Sequence, residues 1–396
     1  PYYQNRYLEG NFELPIYDLT EMNPSEQLEE LKKESQKLKA GFNIEDSLLI
    51  KAAIFELGQA GRRLLITAHH LVVDGFSWRI ILEDLASGYL QFKETNSLSY
   101  GAKTTSVMEW AEELGEYSKS KESEEEIPYW ESTLEAIQPI PTDYEGEDFG
   151  TIGKSESCQA SFEEDETQFL LKKANETYNT RIDELLLVGL AKTISEWLDR
   201  EQIFLQLEGH GREEIVPDLD LSRTVGWFTS IYPVKLDLTG RDKLSDKIIG
   251  VKEQLRKVPE KGIGYGILKY MANYDFSVDE KETGILFNYL GQFDQDLDVE
   301  VFDVAEEETG PEVGRANQRT NLLEIIGMVV GGKLDIEIQY STQRFKKETI
   351  SNLLSGYMDN MRRIMEHVDD ESNFTFTPSD FDTVELSEDD LSQLFG

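Results

Sequence analysis

The chain has 396 residues, of which 39% are hydrophobic and 30% charged, an ordinary globular balance whose length allows about two or three domains. Its 78 Asp and Glu against 39 Lys and Arg give a net charge of −39, which repels phosphate backbones and anionic lipid and so argues against nucleic-acid and membrane partners. The longest apolar run, residues 185–191, is far too short to span a membrane, and the single cysteine, Cys158, excludes an internal disulfide and fits a reducing, cytoplasmic setting.

The chain opens PYYQNRY, with neither an initiator Met nor a signal-peptide pattern, and so reads as a stretch of something longer. Apolar spacing predicts helices over 28–40 and 78–92, with LLITAHH as a short buried strand before the second. The charge run 118–128 closes at Pro128. The Pro-, Gly- and acid-rich stretch 139–156 has no apolar period and reads as the main linker. Beyond it the pattern predicts helices at 165–178 and 183–198, then strands at QIFLQLEGH, TSIYPVKLDL, ILFNYLGQF, IIGMVV and KLDIEIQYS, and a closing helix at 347–367. Residues 377–396 form an acidic tail or linker. Strands and helices alternating on both sides of the linker give an α/β protein of two lobes, 1–150 and 151–376.

Two clusters carry candidate chemistry. His69 and His70 end the predicted strand, and because side chains alternate along a strand, one of them faces a given cleft and the other does not. Asp74 and Gly75 then turn the chain into a helix. A histidine at such a corner suits a general base, since imidazole titrates near neutrality; the plainer reading is a pair of satisfied core histidines. Adjacent strand residues converge poorly on one ion, which disfavours a metal held by His69, His70 and Asp74. In EGHGRE, 208–213, alternation sets Phe204, Gln206 and Glu208 on one strand face and Ile203, Leu205 and Leu207 on the other. Glu208 thus stands at a strand end, where a carboxylate reaches a cleft; the plainer reading is one solvated acid among 78. Arg212 reads either as a surface charge or as a buried partner of Asp74. No nucleophile elbow, P-loop or dinucleotide-binding loop is present.

HHLVVDGFS (69–77), DELLLVGL (183–190), EGHGRE (208–213), RTVGWFTSIYPV (223–234), PEKGIGYG (259–266) and FNYLGQ (287–292) occur in that order. Together they resemble the signature motifs of the epimerization domains of nonribosomal peptide synthetases, relatives of the condensation domains; the second is a degenerate form. The family's opening PIQxWF motif has no counterpart and would lie ahead of Pro1, so the N-terminal lobe is expected to be truncated.

The resemblance implies two chloramphenicol-acetyltransferase-like lobes in a V-shaped pseudo-dimer with a tunnel between them. The substrate would be an aminoacyl or peptidyl thioester on the 4'-phosphopantetheine of an upstream peptidyl carrier domain, inverted at Cα. By motif position His70 and Glu208 are the expected catalytic pair, with His69 packed behind. Asp74 and Gly75 would hold the corner, Asp74 bridging to Arg212, while Asn288 and Tyr289 would line the site. No metal and no cofactor of the chain's own is implied. The tail would be a solvated linker or a docking element for a downstream condensation domain. A thioester acidifies its α-proton, and inversion needs a proton removed from one face and returned to the other, which suits two titratable groups. Two alternatives remain open. One is a condensation domain joining two carrier-bound substrates through a peptide bond; the other is a non-catalytic module that only binds carrier domains. Trp227 and Phe228 read as core residues and Arg223 as a structural charge partner.

Overall fold

Local signals fix the first helix. Asn23 accepts hydrogen bonds from the amides of Ser25 and Glu26, the Asn23 amide in return donates to the Glu26 carboxylate, and Pro24 opens helix α1 (Pro24–Ala40). Strand β1 (Ile16–Asp18) runs parallel to β2 (Ile50–Glu56), which pairs antiparallel with β3 (Arg62–Ala68). This three-stranded sheet buries Ala53, Phe55 and Leu57 together with Leu19 and Leu31, the last from α1. Helix α2 (Gly75–Thr95) follows, ending at Asn96, whose φ of 53° is a left-handed cap. The computed structural model describes residues 13–146, 148–292, 301–370 and 376–380.

Next in the chain come helices α3 (Val107–Tyr117), α4 (Lys121–Glu125) and α5 (Ile127–Leu134). The charge run is thus partly helical, with Ser120 capping α4 and Pro128 in the first turn of α5. Then follow β4 (Ser155–Ser161), α6 (Glu164–Leu171), α7 (Ala174–Tyr178), α8 (Ile182–Leu198), β5 (Gln202–Gly209), β6 (Ser230–Asp237), α9 (Leu244–Arg256), α10 (Ile263–Tyr270), β7 (Ile285–Gln292), β8 (Leu323–Val330), β9 (Lys333–Ser341) and α11 (Lys347–Val368). The single helix expected at 165–178 is two helices. Asn175 Nδ2 donates to the carbonyls of Leu170 and Leu171, taking acceptors that a continuous helix would use for itself.

The chain divides into two units, each gathered from separate stretches: Pro1–Glu113, Pro217–Phe228 and Asp296–Gly314 in the first; Leu114–Val216, Thr229–Gln295 and Arg315–Gly396 in the second. In the first unit, ion pairs Arg63–Glu307, Lys32–Glu308 and Lys39–Glu312 fasten the 301–314 segment to β3 and α1.

The second unit is built on a six-stranded mixed sheet in the order β4-β9-β8-β7-β5-β6, with β5, β7 and β8 parallel. Alternate residues of its strands bury one face: Ile203, Leu205 and Leu207 on β5; Leu323, Ile325 and Val329 on β8; Leu334, Ile336, Ile338 and Tyr340 on β9. Helices α8 and α11 contribute to the same core. At Gly189 of α8 a Cβ would come within 2.3 Å of Met361 Sδ, so the glycine is what allows the two helices to approach. The linker-like stretch 139–156 is fastened within this unit: the Lys346 amide donates to Asp143, Arg344 to the Asp148 carbonyl, and the Arg319 amide to the Gly150 carbonyl. Among the described residues no helix is long and apolar enough to cross a membrane.

Candidate active site

Strand β3 stops at Ala68, one residue before the paired histidines, so strand alternation does not set their directions. His69 instead caps a 3-10 turn, His70–Val72. Its amide donates to the Leu49 carbonyl at 2.8 Å, its Nδ1 accepts from the Leu71 amide at 3.2 Å, and its ring meets Phe42 edge-on. With Nδ1 accepting, a neutral ring carries its proton on Nε2. His70 is exposed, and its ring lies against Trp227, with centroids 4.9 Å apart and planes 57° apart. The two histidines therefore part by turn geometry: one supports the turn and the other projects from it.

Asp74 holds this corner. It is 4% exposed, and its Oδ1 caps α2 by accepting from the Ser77 amide at 2.8 Å. The Ser77 hydroxyl lies 2.7 Å from the same oxygen and 2.9 Å from the Gly226 carbonyl, and accepts from the Gly226 amide; Asp74 Oδ2 accepts from the Phe228 amide at 3.1 Å. One carboxylate and one hydroxyl thus join the HHLVVDGFS and RTVGWF stretches. Gly75 is the first residue of α2. A Cβ there would meet nothing within 4 Å and φ is not positive, so Asp74 rather than Gly75 makes the corner. Arg223 is the charge partner expected, paired with Glu83 and Asp84 of α2.

Glu208 sits near the end of β5, paired with Ile231 of β6 and directed to the sheet face opposite the apolar core. That face carries Gln206, Asn288 of β7 and Glu324 of β8 in neighbouring register. Asn288 Nδ2 donates to Glu208 Oε2. Burial, reinforced by the negative charge of Glu324, pushes the Glu208 carboxyl up to about 7, against the opposing pull of the Asn288 hydrogen bond. Such a carboxyl changes charge near neutral pH and can both take and return a proton there. Past the strand, Gly211 turns the chain at φ +66°, the Arg212 amide donates to His210 Nδ1 at 3.0 Å, and buried Glu213 pairs with His210 and Lys261. Among the described residues no group of three or more His, Cys, Asp or Glu could hold a metal ion.

The condensation-domain family matches residues 3–387. This chain belongs to that family. Tyrocidine synthase 1 of Brevibacillus parabrevis is 38% identical over 409 residues, covering 99% of this chain and 37% of the relative. Gramicidin S synthase 1 of Brevibacillus brevis is 36% identical over 411 residues, covering 99% and 36%. The chain thus spans well under half the length of these curated relatives. Among solved structures, the epimerization domain from the third module of tyrocidine synthetase B superposes with a TM-score of 0.83 at 32% identity, over 93% of this chain and 82% of that one. The kinship drawn from the ordered motifs and the α/β fold class are both borne out.

Other expected site residues of this condensation-family chain separate. Asn288 joins Glu208, but Tyr289 points through the opposite face of β7 and packs against the apolar core, its hydroxyl pushed up to about 12 by burial and the charge of Asp183. Adjacent strand residues cannot share a face, so one of the two had to leave the sheet surface that holds Glu208. Phe228 is buried as expected, whereas Trp227 is 47% exposed. Two features escaped the sequence reading. Arg319, its side chain fully buried, donates to Glu324 and to the carbonyls of Asn321 and Gln339, placing a cation against the Glu324 carboxylate. Asp380, in the first residues of the acidic tail, is buried against Lys252 at 2.7 Å and Arg256 at 3.0 Å, and accepts from the Thr377 amide. Burial opposes its ionisation, but the bonds from Lys252, the Thr377 amide and Asn179 outweigh it and hold Asp380 below the usual carboxylate range. The Thr-x-x-Asp spacing is a capping signature that could have marked it. Residues 381–396, the rest of the tail, and the opening PYYQNRY lie outside the described residues.

Proposed function

We propose that the chain epimerizes an aminoacyl or peptidyl thioester carried on the 4'-phosphopantetheine of an upstream peptidyl carrier domain, with His70 and Glu208 as the acid–base residues. The observation that carries this reading is the Glu208 carboxyl: half-buried at a strand end, held by Asn288, and titrating near 7 on a polar sheet face. The likeness to a solved epimerization domain supports it. Removing the α-proton of a thioester gives a planar enolate. Returning a proton to the other face inverts Cα, and each residue is proposed to serve one face. General acid–base help of this kind contributes roughly 10²–10⁴-fold. The thioester itself supplies the acidity, so no metal or organic cofactor of the chain's own is invoked. His69 and Asp74 are proposed to support His70, and Asn288 to orient Glu208. Arg212 is proposed as a structural charge.

The test is deuterium uptake at Cα from D₂O, with an aminoacyl-loaded carrier and no acceptor. His70→Ala and Glu208→Gln are each expected to lose most of the exchange while still binding carrier. Offered L- and D-configured substrates separately, the two variants should favour opposite directions in what activity remains. Wild-type exchange in both variants would sink the site assignment. The family match also admits the condensation reading: no uptake, but peptide formed once an aminoacyl acceptor is added, would establish it instead.

A further inference from the structure

We propose that Trp227 is a positioning residue for His70: its indole fixes the imidazole in the orientation from which the proton is moved. The inference rests on the acid–base reading of His70. Among the described residues the His70 ring makes no hydrogen bond, and its aromatic support is the Trp227 indole, at a centroid distance of 4.9 Å and a tilt of 57°, within the range where aromatic rings attract. An exposed imidazole on a 3-10 turn otherwise has free rotation about its side-chain bonds, and an acid–base group must be held to work.

Trp227 can hold it because its own backbone is fixed on both sides. The Gly226 amide and carbonyl both meet the Ser77 hydroxyl, and the Phe228 amide donates to buried Asp74. Gly226 also lies so close to its surroundings that a Cβ would come within 2.5 Å of Val107 Cγ2. The residue after Trp227 is buried, while Trp227 itself stays 47% exposed. An aromatic side chain that is anchored by its backbone, exposed in its ring and laid on the candidate base is placed as a support and contributes little to the core. The same Asp74 that caps α2 just after the His70 turn also pins the loop bearing Trp227, so the two rings share one frame.

The experiment compares Trp227→Ala, Trp227→Phe and His70→Ala in the 396-residue chain. His70 ring protons, assigned by their loss in His70→Ala, are expected to sit under the ring current of the indole and to shift in Trp227→Ala. In deuterium exchange with an aminoacyl-loaded carrier, Trp227→Ala should lower kcat by about tenfold or more with little change in KM, and Trp227→Phe should restore most of it. Unchanged kcat, or a rise in KM alone, would overturn the inference while leaving His70 in place, as would His70 ring shifts indifferent to the substitution. Full exchange in His70→Ala would instead remove the acid–base reading, and the inference with it.

Discussion

His70 stands on an exposed turn with its ring on an indole, whereas Glu208 ends a buried strand with its carboxyl among polar groups of the same sheet face. The difference follows from what each side chain brings. An imidazole can give or take a proton without a change in its chemistry, and what the turn and the Trp227 indole supply to His70 is orientation. A carboxylic acid ionises near pH 4, and at Glu208 burial and the like charge of Glu324 lift it to where it exchanges protons at neutral pH. The histidine corner is accordingly a problem of backbone anchoring, and the glutamate end one of electrostatics.

The corner should break hardest. Asp74→Ala removes the side-chain cap of α2 and the carboxylate oxygen that accepts from the Phe228 amide; a loss of about 1–3 kcal/mol is expected, read as a lower unfolding midpoint, together with a fall in exchange. A variant as stable as the wild type would show that Asp74 does not hold the corner. At the glutamate end, smaller and opposed shifts are expected. Asn288→Leu removes a hydrogen bond that lowers the Glu208 pKa, so the limb of the pH–exchange profile near 7 should move up; Glu324→Gln removes a charge that raises it, so the limb should move down. Movement in the same direction would contradict this electrostatic account. The smallest effect concerns stability. Because the folded-state pKa of Glu208 is raised, the folded chain keeps a proton that the unfolded chain releases, and stability falls as pH rises from about 4.5 to about 7. Glu208→Gln should therefore raise the unfolding temperature at pH 8 relative to wild type and leave it nearly unchanged at pH 4. A larger gain at pH 4 would reverse the sign and defeat the assignment.

Much of the second unit was legible because its signals are local. β8 and β9 alternate buried and outward residues along their length, and α11 repeats apolar residues at helical spacing. The face assigned to Glu208 from alternation is the one its strand pairing gives. Less was legible where the chain is short or mixed. β1 has three residues, too few for a period, and β2 carries Lys51 and Glu56 around a short apolar run. Alternation failed at His69 because a ring nitrogen that caps a turn overrides the pleat. It was not carried through at Tyr289, where the same rule separates it from Asn288.

Composition, periodicity and the order of short motifs determined by themselves the α/β class, the four longest helices, most strands and the kinship, and singled out the residues proposed to carry protons, since each is written in neighbouring side chains. Tertiary structure alone decided that Asp74 joins two motifs about 150 residues apart, that Trp227 lies on His70, that Glu208 titrates near 7, and that Asp380 is buried against Lys252. A pKa, a packed ring or a buried ion pair depends on which groups folding removes from water together, and those groups come from distant parts of the chain.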